Sequence, residues 1–395
     1  MNLLTLSARV VGAPLAALVL TTALPVAGRA AESPREHVKR LVDRAIVPLM
    51  ERYDVPGIAV GIVAGAGSYE FDYGVASRET GAPVTPATLF ELGSVSKTLT
   101  ATLAAYAQAS GRLRFSDTVA THLPALRGTK FGDVRLLDLA THTPGGMPLQ
   151  VPEGIANDEQ LMRYLRGWEP AYAPGTYRTY ANPSIGMLGV IAAKSMGEEF
   201  TALMERRLFP ALGMNHTFID VPKARWTSYA QGYTAKGAPI RMADAVLSAE
   251  AYGVKSTAGD MVRFLEANMG RLDLDAKLRR AIAQTHTGYF EAGRMTQDLV
   301  WEQYAYPVDL ETLLAGNSGA VSLAALPVRE IAPPQGPRSD VLINKTGSTN
   351  GFAAYIAFVP GMQVGVVILA NRNCPIEARV TAAYRMIVEL GRRPG

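Results

Sequence analysis

Strand-forming runs of the same kind stand near both ends of this chain, and that symmetry most limits its fold. Near the start, Ile58–Val63 and Tyr69–Val75 are two strand candidates joined by the glycine-rich turn Ala64-Gly65-Ala66-Gly67. Near the end, Ala353–Val359 and Val364–Leu369 are apolar runs split by Pro360-Gly361, a hairpin signal. Helical spacing of apolar residues marks Pro34–Arg52 (Val38, Leu41, Val42, Ala45, Ile46, Leu49), and a second helix is predicted from about Ala378 to Leu390. An apolar sheet face must be buried against another element. The expected architecture is therefore α/β, of the α+β type. One antiparallel sheet is flanked by the N- and C-terminal helices, and a mostly helical lobe is inserted between its halves. Residues 31–395 form a single domain in this reading. Residues 31–92 and 300–395 make the sheet lobe, and 93–299 the helical lobe.

Between the ends the chain reads as helical patches broken by Pro and Gly. Thr98–Ser110 is apolar on nearly every face, the mark of a buried helix. Leu136–Ala140, Asp158–Tyr164, Ile185–Ser195 and Thr257–Met269 are further helix candidates, and 220–256, weakly periodic, reads as a long surface loop. The first thirty residues stand apart. Met1–Arg9 is a short positive start, Val10–Ala27 is largely apolar, and Gly28-Arg29-Ala30 supplies the small residues of a cleavage site. A membrane anchor is the competing reading, but Pro14 and Pro25 interrupt the run. The pattern predicts a signal peptide over 1–30, removal of that segment and export to the periplasm, with no stable membrane insertion.

Composition closes several routes. Losing 1–30 removes two arginines, Arg9 and Arg29, and no acid, so the formal charge falls from +4 to +2. That balance gives no reason to expect a nucleic-acid partner. The single cysteine, Cys374, rules out an intramolecular disulfide and has no histidine near it in sequence, so it reads as a packed thiol. The five histidines (37, 122, 142, 216 and 286) show no metal-binding spacing and read as ordinary surface or hydrogen-bonded residues. No cofactor is expected.

Three short elements carry chemistry. Of nine lysines only Lys97 has a serine three places earlier, and Phe90-Glu91-Leu92-Gly93 leads through Ser94-Val95-Ser96-Lys97 into the buried helix. A serine at a helix N-terminus meets unpaired N–H groups. A lysine one turn on shares its face, and burying its ammonium unpaired is costly. A capping serine and a solvated lysine would fit the pair alone equally well. The second element is Pro174-Gly175-Thr176 followed by Tyr180-Ala181-Asn182-Pro183, where Pro183 predicts an extended conformation at Asn182. The third is Lys345-Thr346-Gly347-Ser348, read as lying ahead of a strand. There Gly347 admits close backbone approach, and Lys345 and Thr346 offer a charge and a hydroxyl to a carboxylate.

In this order the three elements form the motif set of the penicillin-recognising serine enzymes. With Tyr-Ala-Asn as the middle element, the chain resembles the class C β-lactamases, the serine cephalosporinases. The likeness extends through Pro148-Leu149-Gln150-Val151-Pro152, Ala249–Thr257 and Leu369–Asn373. It implies the serine β-lactamase/DD-peptidase-like fold, hydrolysis of a small β-lactam through an acyl-enzyme, and a monomer. By the same resemblance Ser94, Lys97, Tyr180 and Lys345 are catalytic. Gln150 and Asn182 hold the substrate's acylamino side chain, Tyr252 lines the acyl pocket, and Thr346, Gly347 and Ser348 face the substrate. The backbone N–H groups of Ser94 and Ser348 form the oxyanion hole, and Asn373 and Arg379 sit at the far edge. The chain departs from the family at Ile376, which has no hydrogen-bonding group, and at Asn344 and Thr349-Asn350-Gly351.

The resemblance leaves the base open. Tyr and Lys ordinarily titrate near 10 and 10.4, and a drop of about 3 units corresponds to about 4 kcal/mol. One cation about 4 Å away supplies roughly that at an effective dielectric near 20. Lys97 and Tyr180 are best treated as one unit. A D-alanyl-D-alanine peptidase, an esterase on the same fold and a non-hydrolysing penicillin-binding module are the rival readings. No Gly-x-Ser-x-Gly elbow of the α/β-hydrolase kind occurs.

Overall fold

A computed structural model of the chain describes residues 33–392 without a break, together with residues 1, 2, 4, 6–10 and 12. Most of the signal segment expected over 1–30, including its apolar run and cleavage site from residue 13 on, lies outside the described residues.

The two ends of the chain do meet. Nine strands form one sheet: β1 (Gly57–Ala64), β2 (Gly67–Gly74), β3 (Gly288–Ala292), β4 (Met295–Gln297), β5 (Glu302–Ala305), β6 (Arg329–Gln335), β7 (Val341–Ser348), β8 (Ala353–Val359) and β9 (Val364–Ala370). Their order is β6-β3-β4-β5-β7-β8-β9-β1-β2, so the junction between the ends is the antiparallel pair β1 and β9, with Ile58 opposite Ala370 and Ala64 opposite Val364. Side chains alternate across a strand. Ile58, Val60 and Ile62 accordingly face the terminal helices α1 (Pro34–Tyr53) and α6 (Ile376–Gly391), where Val42, Ile46, Val380 and Ile387 complete one core. Ala59 and Val63 point to the opposite core, covered by α4 (Ala258–Asn268).

The helical lobe is built around α2 (Ser96–Ala109), buried on nearly every face and enclosed by α3 (Asn182–Met196) and α5 (Ala276–Thr285). Three expectations need correction. The sheet reclaims the chain before residue 300, because β3 and β4 (288–297) belong to it. Both strands are too short to leave a period-2 signal. Residues 220–256 are not a surface excursion either: Tyr233, Leu247, Ala251 and Val254 are buried, and Lys255–Ser256 pairs with Phe90–Glu91. Finally, Asn182 opens α3, and the extended residue is its N-cap, Ala181. A proline is accepted in the first helical turn because no intrahelical partner is lost there.

Candidate active site

Ser94 sits in a 3₁₀ turn, Gly93–Val95, that feeds α2. Lys97 follows one turn on and is fully buried. Its Nζ donates to the Ser94 Oγ at 2.9 Å and to the carbonyl of Ala251 at 2.9 Å. Neither partner is a carboxylate. Burial therefore drives the ammonium down to about 8; Tyr180 opposes that shift, and the charge of Lys345 adds to it.

The third motif lies within the last half of β7 rather than ahead of a strand. Alternation sets Lys345 and Gly347 on the face turned to the helical lobe, with Val341 and Ile343. Two glycines let this strand meet the Ser94 turn. A Cβ at Gly347 would stand 2.0 Å from the Leu92 carbonyl oxygen, and one at Gly93, whose φ is +51°, would stand 2.6 Å from the Ser348 backbone nitrogen. These neighbours are backbone atoms and cannot rotate away. We expect Gly347→Ala to cost about 1–3 kcal/mol of stability by overpacking and to impair turnover. Thermal unfolding with steady-state kinetics checks this, and a parental Tm and kcat would show that the contact is slack.

Tyr180 lies between the other two elements. Lys97 Nζ is 5.2 Å from its ring centroid and Lys345 Nζ is 5.0 Å away. The Oη is enclosed without a well-formed hydrogen bond, with the Ser94 hydroxyl and Lys97 beside it. Burial pushes the phenol up, but Lys345, Lys97 and the Ser94 hydroxyl together outweigh it and bring it to about 8. Arg178, whose guanidinium carbon is 5.5 Å from the centroid of that ring, belongs to a buried ion pair that carries no sequence motif. Arg178 Nη2 meets Glu302 Oε1 at 2.7 Å, and its Nε donates to Gln297 Oε1 at 2.6 Å.

Ser94 and Tyr180 open into a cleft of about 570 Å³, and Lys97 and Lys345 stay buried behind its lining. Of the expected substrate-facing residues, Gln150, Asn182, Tyr252, Thr346, Gly347, Ser348 and Asn373 all line it, together with Ser94 and Tyr180. Asn182 Nδ2 donates to Gln150 Oε1 at 2.8 Å, which joins the two at one end. Ile376 also lines the cleft. Arg379 departs from expectation. It is fully buried behind the cleft wall and reaches it only through Ser348, whose Oγ accepts from Nη2 at 2.7 Å. Sequence reasoning also missed Ile240, Arg241, Met242 and Ala243, which wall the cleft from the segment read as a surface loop. Arg241 is the only charged side chain among the lining residues, and none of them is a carboxylate. Cys374 is buried away from this chemistry, and burial pushes its thiol up.

Fold and site together define a serine acyl-transfer enzyme, with a hydroxyl, two buried lysines and a phenol at the seam between a sheet and a helical lobe. A family profile for β-lactamases matches residues 42–390. A β-lactamase of Pseudomonas fluorescens is 47% identical over 350 residues, covering 89% of this chain and 98% of that one. A class C β-lactamase solved in complex with cefoxitin superposes with a TM-score of 0.88 at 46% identity, covering 90% of this chain and 99% of that one. A D-alanine carboxypeptidase from Burkholderia cenocepacia superposes at 0.86 with 55% identity, covering 89% and 99%. This chain belongs to the β-lactamase family, as a class C serine enzyme that hydrolyses β-lactams. Among the described residues no helix is long and apolar enough to cross a membrane.

Proposed function

We propose that Ser94 is the nucleophile, that Lys97 and Tyr180 act together as its base, and that Lys345, from behind the lining, holds the phenol's charge and adds its field to the Thr346 hydroxyl that meets the substrate carboxylate. The observation that carries this reading is the Lys97–Ser94 hydrogen bond at 2.9 Å beside an enclosed Tyr180 flanked by two cations. Ser94 Oγ attacks the lactam carbonyl while its proton passes to the Lys97/Tyr180 pair. The C–N bond then breaks, and the ring nitrogen takes that proton. Water, with Tyr180 or the freed ring nitrogen as its base, cleaves the ester and restores Ser94. The Ser94 and Ser348 N–H groups receive the oxyanion, each such donor being worth on the order of 3 kcal/mol. The absence of a lining carboxylate supports Tyr180 over a glutamate in deacylation.

The pH dependence follows from the pair. Both groups fall to about 8, so the form able to accept the serine proton is lost as pH drops below that value. kcat/KM is expected to rise with pH, to reach half its limit near 8 and to level off about one unit above. A profile that is flat from about 6 to about 9 would count against the assignment.

A second reading has support from one neighbour, the carboxypeptidase of Burkholderia cenocepacia: trimming of a D-alanyl-D-alanine peptide at the same serine. Assaying a chromogenic cephalosporin beside such a peptide separates the two. Rapid cephalosporin turnover with no D-alanine release favours the lactamase alone, whereas a long-lived acyl-enzyme with D-alanine release favours the peptidase. We also take the mature enzyme to be exported to the periplasm, on the strength of the leader pattern over 1–30, and to be a monomer, as the resemblance to the class C enzymes implies.

A further inference from the structure

The tyrosine at the centre of the site is held from behind by a residue that the chemistry above does not use. His142 follows the short helix Leu136–Ala140 and is fully buried. Its φ of +61° places it in the left-handed region, which a non-glycine side chain occupies when its surroundings hold it there. Those surroundings are visible. Thr141 Oγ1 donates to the Leu137 carbonyl at 2.8 Å, the Thr141 and Thr143 hydroxyls meet at 2.9 Å, and Thr143 Oγ1 donates to Asp138 Oδ1 at 3.2 Å. Asp138 is in turn paired with Arg135 at 2.9 Å.

What this strained residue touches is the chain on either side of Tyr180. The His142 carbonyl accepts from the Thr179 N–H at 2.8 Å, and its Nδ1 accepts from the Ala181 N–H at 3.2 Å. Between these two bonds its imidazole lies on the Tyr180 ring, with centroids 4.4 Å apart and planes 38° from parallel. We propose that His142 is a positioning residue for Tyr180, gripping the backbone before and after it and bracing its ring so that Oη stays directed at Ser94 and Lys97. This rests on the reading of Tyr180 as a proton-handling group.

The grip needs a neutral imidazole. An Nδ1 that carries a proton is a donor and cannot accept from the Ala181 N–H, so the ring proton belongs on Nε2. Burial, and then the cations of Arg178, Lys97 and Lys345, hold the ring well below the usual histidine range. The charges that stabilise a tyrosinate therefore also keep its clamp in the accepting form.

Four variants test this: His142→Asn, His142→Phe, His142→Ala and, as reference, Tyr180→Phe. Asparagine tolerates positive φ and returns an acceptor close to the place of Nδ1, phenylalanine returns the ring alone, and alanine returns neither. A misplacement of about 1 Å at a reacting group costs on the order of 100-fold in rate. We expect His142→Ala and His142→Phe to lose about that much in kcat with little change in KM, and the acid limb of the kcat profile to move. His142→Asn should recover most of the loss. Parental kcat and pH profile in a folded His142→Ala overturn the proposal. So does an equal loss in Asn, Phe and Ala with an unmoved pH profile, because that is core packing alone. Should the alanine variant not fold, the contrast between Asn and Phe decides. Parental turnover in Tyr180→Phe would instead overturn the reading of Tyr180 itself, and the two failures are thereby told apart.

Discussion

Replacing Ser94 with alanine is expected to lower β-lactam hydrolysis by on the order of 10⁵–10⁶ in kcat, the scale of losing a nucleophile whose partners act only through it. The fold should survive. Ser94 is partly buried in the cleft lining, and its hydroxyl has Lys97 as a partner. Without it, Lys97 retains its bond to the Ala251 carbonyl. Mass spectrometry gives the second readout: the parent should carry one acyl group after rapid quenching with a slow substrate, and Ser94→Ala none. A covalent adduct on the alanine variant would place the nucleophile elsewhere.

Removing the Tyr180 hydroxyl should cost about 10²–10⁴-fold in kcat, the range for a positioned acid–base group. Because Oη has no well-formed hydrogen bond, Tyr180→Phe leaves no partner orphaned, and its Tm should stay near the parent's. The experiment also bears on the base. Tyr180 holds the Lys97 pKa up, so its loss lets burial carry Lys97 lower and leaves more neutral amine at pH 7. If Lys97 alone were the base, Tyr180→Phe would acylate at least as fast as the parent. Slow acylation assigns the proton to the pair, whereas fast acylation with an accumulating acyl-enzyme confines Tyr180 to the deacylation step. Near-parental turnover would refute any catalytic role.

Much of this site could be read from the residues before any coordinates, for a physical reason. Ser94 and Lys97 are joined by helical spacing, and Lys345 and Gly347 by strand alternation. Both are local geometries that the chain carries with it. Arg178 and Glu302 are the contrary case. They lie 124 positions apart and share no motif, yet they form a buried pair whose arginine packs on the Tyr180 ring. By sequence His142 is an ordinary histidine, because nothing near it announces that residues 179–181 will lie across it. Family likeness puts Arg379 at the cleft edge, and the packing of α6 against the sheet sets it behind the wall instead.

What the sequence by itself determined was the pairing of strand-rich ends around a helical middle, and the three motifs that name the reaction. These depend on periodicity and on spacings of a few residues. Only the tertiary structure decided how the motifs meet: that Gly93 and Gly347 allow the Ser94 turn to press against β7, that two lysines converge on one buried phenol, and that residues 240–243 wall the cleft. Such contacts join segments distant along the chain, and their energy comes from burial and charge in a shared interior, which no local pattern encodes.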